Sequence, residues 1–306
     1  MVPLSGAARP TIPAPTPAVL GKVTATTLED AYAANRANAE QASRMADAHG
    51  DRARAATDRA IAAPSRHFLT FDGRGAGRTA EVLGDLAHAD RVAVLVPGSD
   101  TSLDTYARFR ATATHLWTEL NRQTAKSTAP GTAPRTAVVA WLGYETPATV
   151  SFTVATSGRA EQAAPQLRDF IRRLRGIAGE KAQLSLLCHS YGSVVCGRAA
   201  AGLDVDDIAL VGSPGTGADT AAGLRTRARV WAARGLDDWV GEVPHVKADL
   251  FGTTVGFGTD PVSPSFGARV FAAGDGGHSD YFAPGSVSLT NLARIVLGAT
   301  SEVTRA

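Results

Sequence analysis

Apolar positions are distributed along this chain in three regimes. Residues 1–24 are rich in proline, alanine and threonine with no periodic apolar set, which predicts a disordered tail. Residues 27–62 are Ala-, Arg- and Asp-rich, with no glycine before Gly50. Leu28, Tyr32, Met45 and Ile61 are the large apolar side chains there, a thin stripe that predicts one or two helices bracing a main domain. From His67 the period shortens. His67–Asp72 and Thr79–Leu86 predict two strands of a hairpin around Gly73-Arg74-Gly75-Ala76-Gly77. Further apolar runs cover 91–97, 136–143, 183–188, 207–212, 227–233 and 268–273, with helical patterns at 103–125, 158–178, 191–201, 216–225 and 286–298. The runs are continuously apolar, as strands buried on both faces are. Strand–helix alternation predicts an α/β fold with a mostly parallel, doubly wound sheet. The expected organisation is a tail over 1–24, a helical extension over 25–64 and an α/β domain over 65–300.

In such sheets chemistry gathers at the carboxyl ends of the strands. The run 183–188 ends in Cys188-His189-Ser190-Tyr191-Gly192, followed by a small, apolar, helix-like segment. A strand, a sharp turn centred on serine and a helix is the form of a nucleophile elbow. The turn forces strained angles on the serine, so the residues two away must be small, and Gly192 satisfies this. Ser213 also follows a strand, but Pro214 comes next. An elbow uses the N–H of the residue after the nucleophile, and proline has none. Ser190 is therefore the candidate nucleophile and Tyr191 N–H a candidate oxyanion donor. Gly98-Ser99-Asp100-Thr101 follows the run 91–97, and Ser99 N–H is the second candidate donor, with Asp100 close behind; Asp100, Thr101 or Ser102 could instead, or as well, cap the helix beginning at Leu103.

Two further loops complete a constellation. Asp237 and Asp238 follow the run 227–233, and Asp238 in Asp-Trp-Val is favoured as the acid that orients an imidazole, with Asp237 the alternative. His278 sits in a glycine-rich loop after 268–273, where a general base is expected. His189 adjoins the serine, but its side chain should point away from it. Trp141, Tyr144, Trp239, Tyr281 and Phe282 lie near strand ends and could line an acyl pocket or simply fill the core.

Val96-Pro97-Gly98, Trp141-Leu142-Gly143-Tyr144, Cys188-His189-Ser190-Tyr191-Gly192-Ser193, Gly212-Ser213-Pro214-Gly215 and Gly277-His278-Ser279-Asp280-Tyr281-Phe282 together resemble an actinobacterial α/β-hydrolase family of unassigned substrate. The resemblance spans roughly residues 67–298. It implies the α/β-hydrolase fold and a triad of Ser190, Asp238 and His278; that family usually has glycine where this chain has Cys188. The expected function is a serine hydrolase acting on a small-molecule ester, with no metal or organic cofactor needed. A peptidase or acyltransferase using the same triad, and a catalytically silent binding protein on the same fold, are the alternatives.

Composition trims this picture. The 306 residues are 44% hydrophobic and 20% charged, enough for a sizeable core. A net charge of +2, with no basic block interleaved with aromatics, argues against nucleic acid. Gly73–Gly77 fails the dinucleotide-loop spacing, because Arg78 stands where the third glycine belongs. No run approaches the ~18 apolar residues of a membrane span. The two cysteines, Cys188 and Cys196, are expected as small buried hydrophobes rather than a disulfide. The compartment is expected to be cytoplasmic by default. The small-residue start of the chain alternatively suggests a secreted protein whose signal peptide lies upstream of Met1.

Overall fold

The computed structural model describes residues 12–126, 133–148, 158–242 and 257–306, and the backbone of 248–250 and 253–255. Among these, an eight-stranded sheet runs in the order β1-β2-β4-β3-β5-β6-β7-β10. The strands are β1 (His67–Asp72), β2 (Arg78–Gly84), β3 (Arg91–Val96), β4 (Thr136–Leu142), β5 (Gln183–His189), β6 (Asp207–Val211), β7 (Arg229–Ala233) and β10 (Arg269–Val270). β8 (Ala248–Leu250) and β9 (Thr253–Val255) form a separate antiparallel pair. From β4 to β10 every pairing is parallel, and only the β1–β2 hairpin and its junction with β4 are antiparallel. The continuously apolar runs thus become the parallel strands.

Period-2 alternation divides each strand between two cores. On one face Val92, Val94 and Val96 of β3 and Leu184, Leu186 and Cys188 of β5 join Leu167, Phe170 and Leu174 of α4 (Gly158–Ala178) and Val194 and Val195 of α5 (Gly192–Ala199). On the other, Ala93, Leu95 and Leu187 meet Leu116 and Leu120 of α3 (Tyr106–Thr124) and Leu292, Ile295 and Val296 of α6 (Val287–Leu297). Helices on both faces leave the carboxyl ends of the parallel strands as the open edge.

The extension forms α1 (Leu28–Ala48) and α2 (Arg52–Ile61). Asn35 donates to the carbonyls of Phe68 and Leu69, tying α1 to β1. Arg54 is fully buried, pairs with Asp58 and Asp104, and donates to the carbonyls of Gly73 and Gly75. Of the expected tail, residues 1–11 lie outside the described residues. Residues 12–24 form no regular element, and Thr16 accepts from Asn38.

Three expectations need correction. The cysteines are not free: Cys188 and Cys196 are joined by a disulfide. Cys188 points to the face on which α5 packs, and the elbow folds that helix back until the two Cα atoms are 6.5 Å apart. The helix expected over 216–225 shrinks to a single 3-10 turn, Ala222–Leu224, because Gly217 takes a left-handed φ of +79° that a helix cannot hold. The last strand shortens to Arg269–Val270, followed by an isolated bridge from Phe271 to Arg305.

Candidate active site

The turn after β5 lifts Ser190 above the sheet edge. Its φ is +54°, in the left-handed region that side chains seldom enter. The strain is held by hydrogen bonds on both sides: Ser190 N–H donates to Val211 O at 3.0 Å, and Ser193 N–H to Ser190 O at 2.9 Å. Two glycines let the end of β3 press against this turn. A Cβ on Gly192 would come within 2.6 Å of Val96 O, and one on Gly98 within 2.6 Å of Ser190 Cβ. Cys188 is accommodated where glycine is usual because its side chain leaves the turn for the α5 face. Asp100 is also left-handed, at +56°. Of the three non-glycine residues with positive φ among those described, two thus line one cavity.

Three strand-end loops converge on Ser190 Oγ. His278 Nε2 lies 2.8 Å from it, and His278 Nδ1 lies 2.8 Å from Asp238 Oδ1. Asp238 is buried, whereas Asp237 is exposed and makes no contact with the imidazole. Asp238 accepts two further bonds, from Val240 N–H at 2.9 Å and from the Tyr281 phenol at 2.5 Å. Burial alone would raise the Asp238 carboxyl; the hydrogen bonds from His278, Tyr281 and Val240 outweigh it and hold the group below the ordinary carboxylate range. It is therefore ionised at neutral pH. The stability it contributes is present above its unfolded pKa of about 3.9 and is lost as pH falls through the lower folded value. Tyr281 is raised well above the ordinary phenol range, by burial first and then by Asp238, so it stays a donor.

Ser190 opens into a cavity of about 230 Å³. The Gly98–Thr101 loop forms one wall, Arg108 and Phe109 of α3 another, and Trp239, His189 and Ser279 the rest. Ser99 lies at this wall, and its N–H has no acceptor among the described residues. Of the five aromatics considered for an acyl pocket, only Trp239 lines the cavity; Trp141, Tyr144, Tyr281 and Phe282 are core side chains. Ser102 caps the turn before α3 in a reciprocal box with Thr105. Ser213 bonds Gly215 through its hydroxyl and shapes its own turn. His245 lies outside the described residues. Among the described residues no three His, Cys, Asp or Glu side chains are placed to ligate a metal, and no helix is long and apolar enough to cross a membrane.

A profile of the family described as Alpha/beta hydrolase matches residues 72–248, more than half of the chain. The chain belongs to the α/β-hydrolase family. Two Mycobacterium tuberculosis proteins, Uncharacterized protein Rv2079 and Uncharacterized protein MT2140, are each 31% identical to this α/β-hydrolase over 257 residues, covering 73% of this chain. The chain spans 37% of the length of these curated relatives. Among solved structures, esterase PE8 is 17% identical, with a TM-score of 0.43 over 71% of this chain and 97% of that one. A CIB-like hydrolase from Thermoplasma acidophilum is 15% identical, with a TM-score of 0.45 over 77% and 96%.

The structure brings together Ser190, Asp238 and His278, the residues the sequence singled out; the sequence offered Tyr281 only as a pocket or core aromatic and set His189 aside as pointing away from the serine. Tyr281 clamps the far oxygen of Asp238 and accepts from Gly235 N–H at 3.0 Å. His189 donates from Nε2 to the main-chain carbonyl of His278 at 2.7 Å. Strand alternation does signal the direction of His189, since it must face opposite Cys188.

Proposed function

We propose that the protein is a serine hydrolase that cleaves a small-molecule ester through an acyl-enzyme. What carries this reading is one hydrogen-bonded chain, Asp238 to His278 to Ser190, with both links at 2.8 Å. Ser190 Oγ attacks the acyl carbon while its proton passes to His278 Nε2. Negative charge collects on the former carbonyl oxygen, which Tyr191 N–H and Ser99 N–H are proposed to receive, each donor contributing about 3 kcal/mol. The bond to the leaving oxygen then breaks, and His278 returns the proton to it as the alcohol departs. Water, deprotonated by the same imidazole, attacks the acyl carbon. Collapse frees the carboxylic acid and restores Ser190. Asp238 holds the proton of the neutral imidazole on Nδ1 and stabilises the imidazolium. Esters suit this site because their leaving groups need less assistance than amines.

The test is labelling by a fluorophosphonate, with turnover of short- and long-chain p-nitrophenyl esters. Labelling confined to Ser190, absent in Ser190→Ala, and turnover that falls at least a thousandfold in that variant (about 10³–10⁶ where a nucleophile is removed) are expected. No labelling of the wild type would leave a silent binding protein instead, and equal labelling of Ser190→Ala would rule out Ser190 as the nucleophile.

A further inference from the structure

The reaction above has no use for His189, yet the fold spends a half-buried imidazole there, at the last position of β5. Its ring lies 4.8 Å from that of His278 and 5.7 Å from that of Tyr281. A main-chain carbonyl can only accept, so the 2.7 Å contact to His278 O requires the proton of His189 on Nε2. The titratable groups around it are His278, Asp238 and Tyr281. Burial pushes the imidazole down to about 4, and His278 pushes it the same way. His189 therefore stays neutral while its neighbour gains and loses charge.

The loop that carries His278 needs such a tether. It contains Gly274, Gly276 and Gly277, and glycine loses more freedom on ordering than any other residue. We propose that His189 is a positioning residue, whose Nε2–H bond to the His278 carbonyl fixes the general base over Ser190. The tether springs from the residue next to the nucleophile, so elbow and base shift together rather than apart. This rests on the serine hydrolase reading.

Two variants of the full chain separate the bond from the ring. His189→Gln keeps an N–H at the reach of Nε2; His189→Phe keeps the ring and removes the donor. With p-nitrophenyl acetate, kcat of His189→Phe is expected to fall about ten- to hundredfold, the range for a catalytic group displaced by up to about 1 Å. KM should stay within about twofold, and His189→Gln should recover most of kcat. A wild-type kcat in His189→Phe, or equal losses in both variants, would overturn the proposal. A readout that needs no turnover is long-range ¹⁵N–¹H NMR of the imidazoles in Ser190→Ala. His189 is expected neutral and protonated on Nε2 from pH 5 to 8, and titration within that range would equally overturn it. That result is independent of whether Ser190 is labelled, so failure of the tether and failure of the hydrolase reading are distinct outcomes.

Discussion

At Ser190 the chain accepts a backbone conformation that costs of order 1–3 kcal/mol and holds it by close packing on either side. Gly98 is one of the two tight points of that packing, the one that faces Ser190 itself. Gly98→Ala would bring a methyl within 2.6 Å of Ser190 Cβ and 3.1 Å of its Oγ. Overpacking of this kind costs about 1–3 kcal/mol in folding. The displaced hydroxyl should cost about a hundredfold in kcat toward p-nitrophenyl acetate, on the proposed mechanism. Comparing the urea midpoint with kcat checks both, and a variant as active as wild type would show that the contact is easily relieved. The residues at strand ends were legible in sequence because a strand–loop boundary says where a side chain will sit. Cys188–Cys196 and the His189 tether were not. Alternation along β5 sets Cys188 and His189 on opposite faces, but it does not say what packs there: α5 against one and the His278 loop against the other.

Among elements, the disulfide ties β5 to the second turn of α5, the helix that follows Ser190. With a sequence separation of 8, loop closure gives it about 2.5 kcal/mol. The Cys188→Ser/Cys196→Ser double variant should unfold at lower urea by a corresponding amount, and intact protein should show no free thiol to Ellman's reagent. Helix α2 is tied to the β1–β2 turn by buried Arg54, which pairs with Asp58 and engages the carbonyls of Gly73 and Gly75. Here the electrostatics run opposite to those at Asp238. Burial pushes Asp58 up to about 6, with Arg54 pulling only partway back. The folded state then binds the extra proton, so stability falls as pH rises from about 4 to 6. In Asp58→Asn that part of the slope of Tm against pH should vanish; an unchanged slope would place its origin elsewhere. Helices α3, α4 and α6 were legible to within a few residues because their apolar periodicity is strong. The segment 216–225 read as helical, but Gly217 supplies a left-handed turn there.

For the molecule as a whole, alternation of strands and helices was enough to announce a parallel sheet with helices on both faces. Strand order was not legible, because it is decided by pairings such as β3 with β5 across the whole of β4 and α4. That order also separates in time what it unites in space. Ser190 and His278 stand 88 residues apart. At about 5–20 residues per second, the ribosome delivers the proposed base roughly 4–18 s after the proposed nucleophile. Through that interval the nascent chain holds a serine with no partner to deprotonate it. Chains stalled before residue 278 should resist a fluorophosphonate, while those released beyond the loop should react; equal labelling of both would mean that Ser190 needs no base. On the proposed mechanism, timing alone would keep Ser190 inert toward acyl groups until the loop that carries His278 is made.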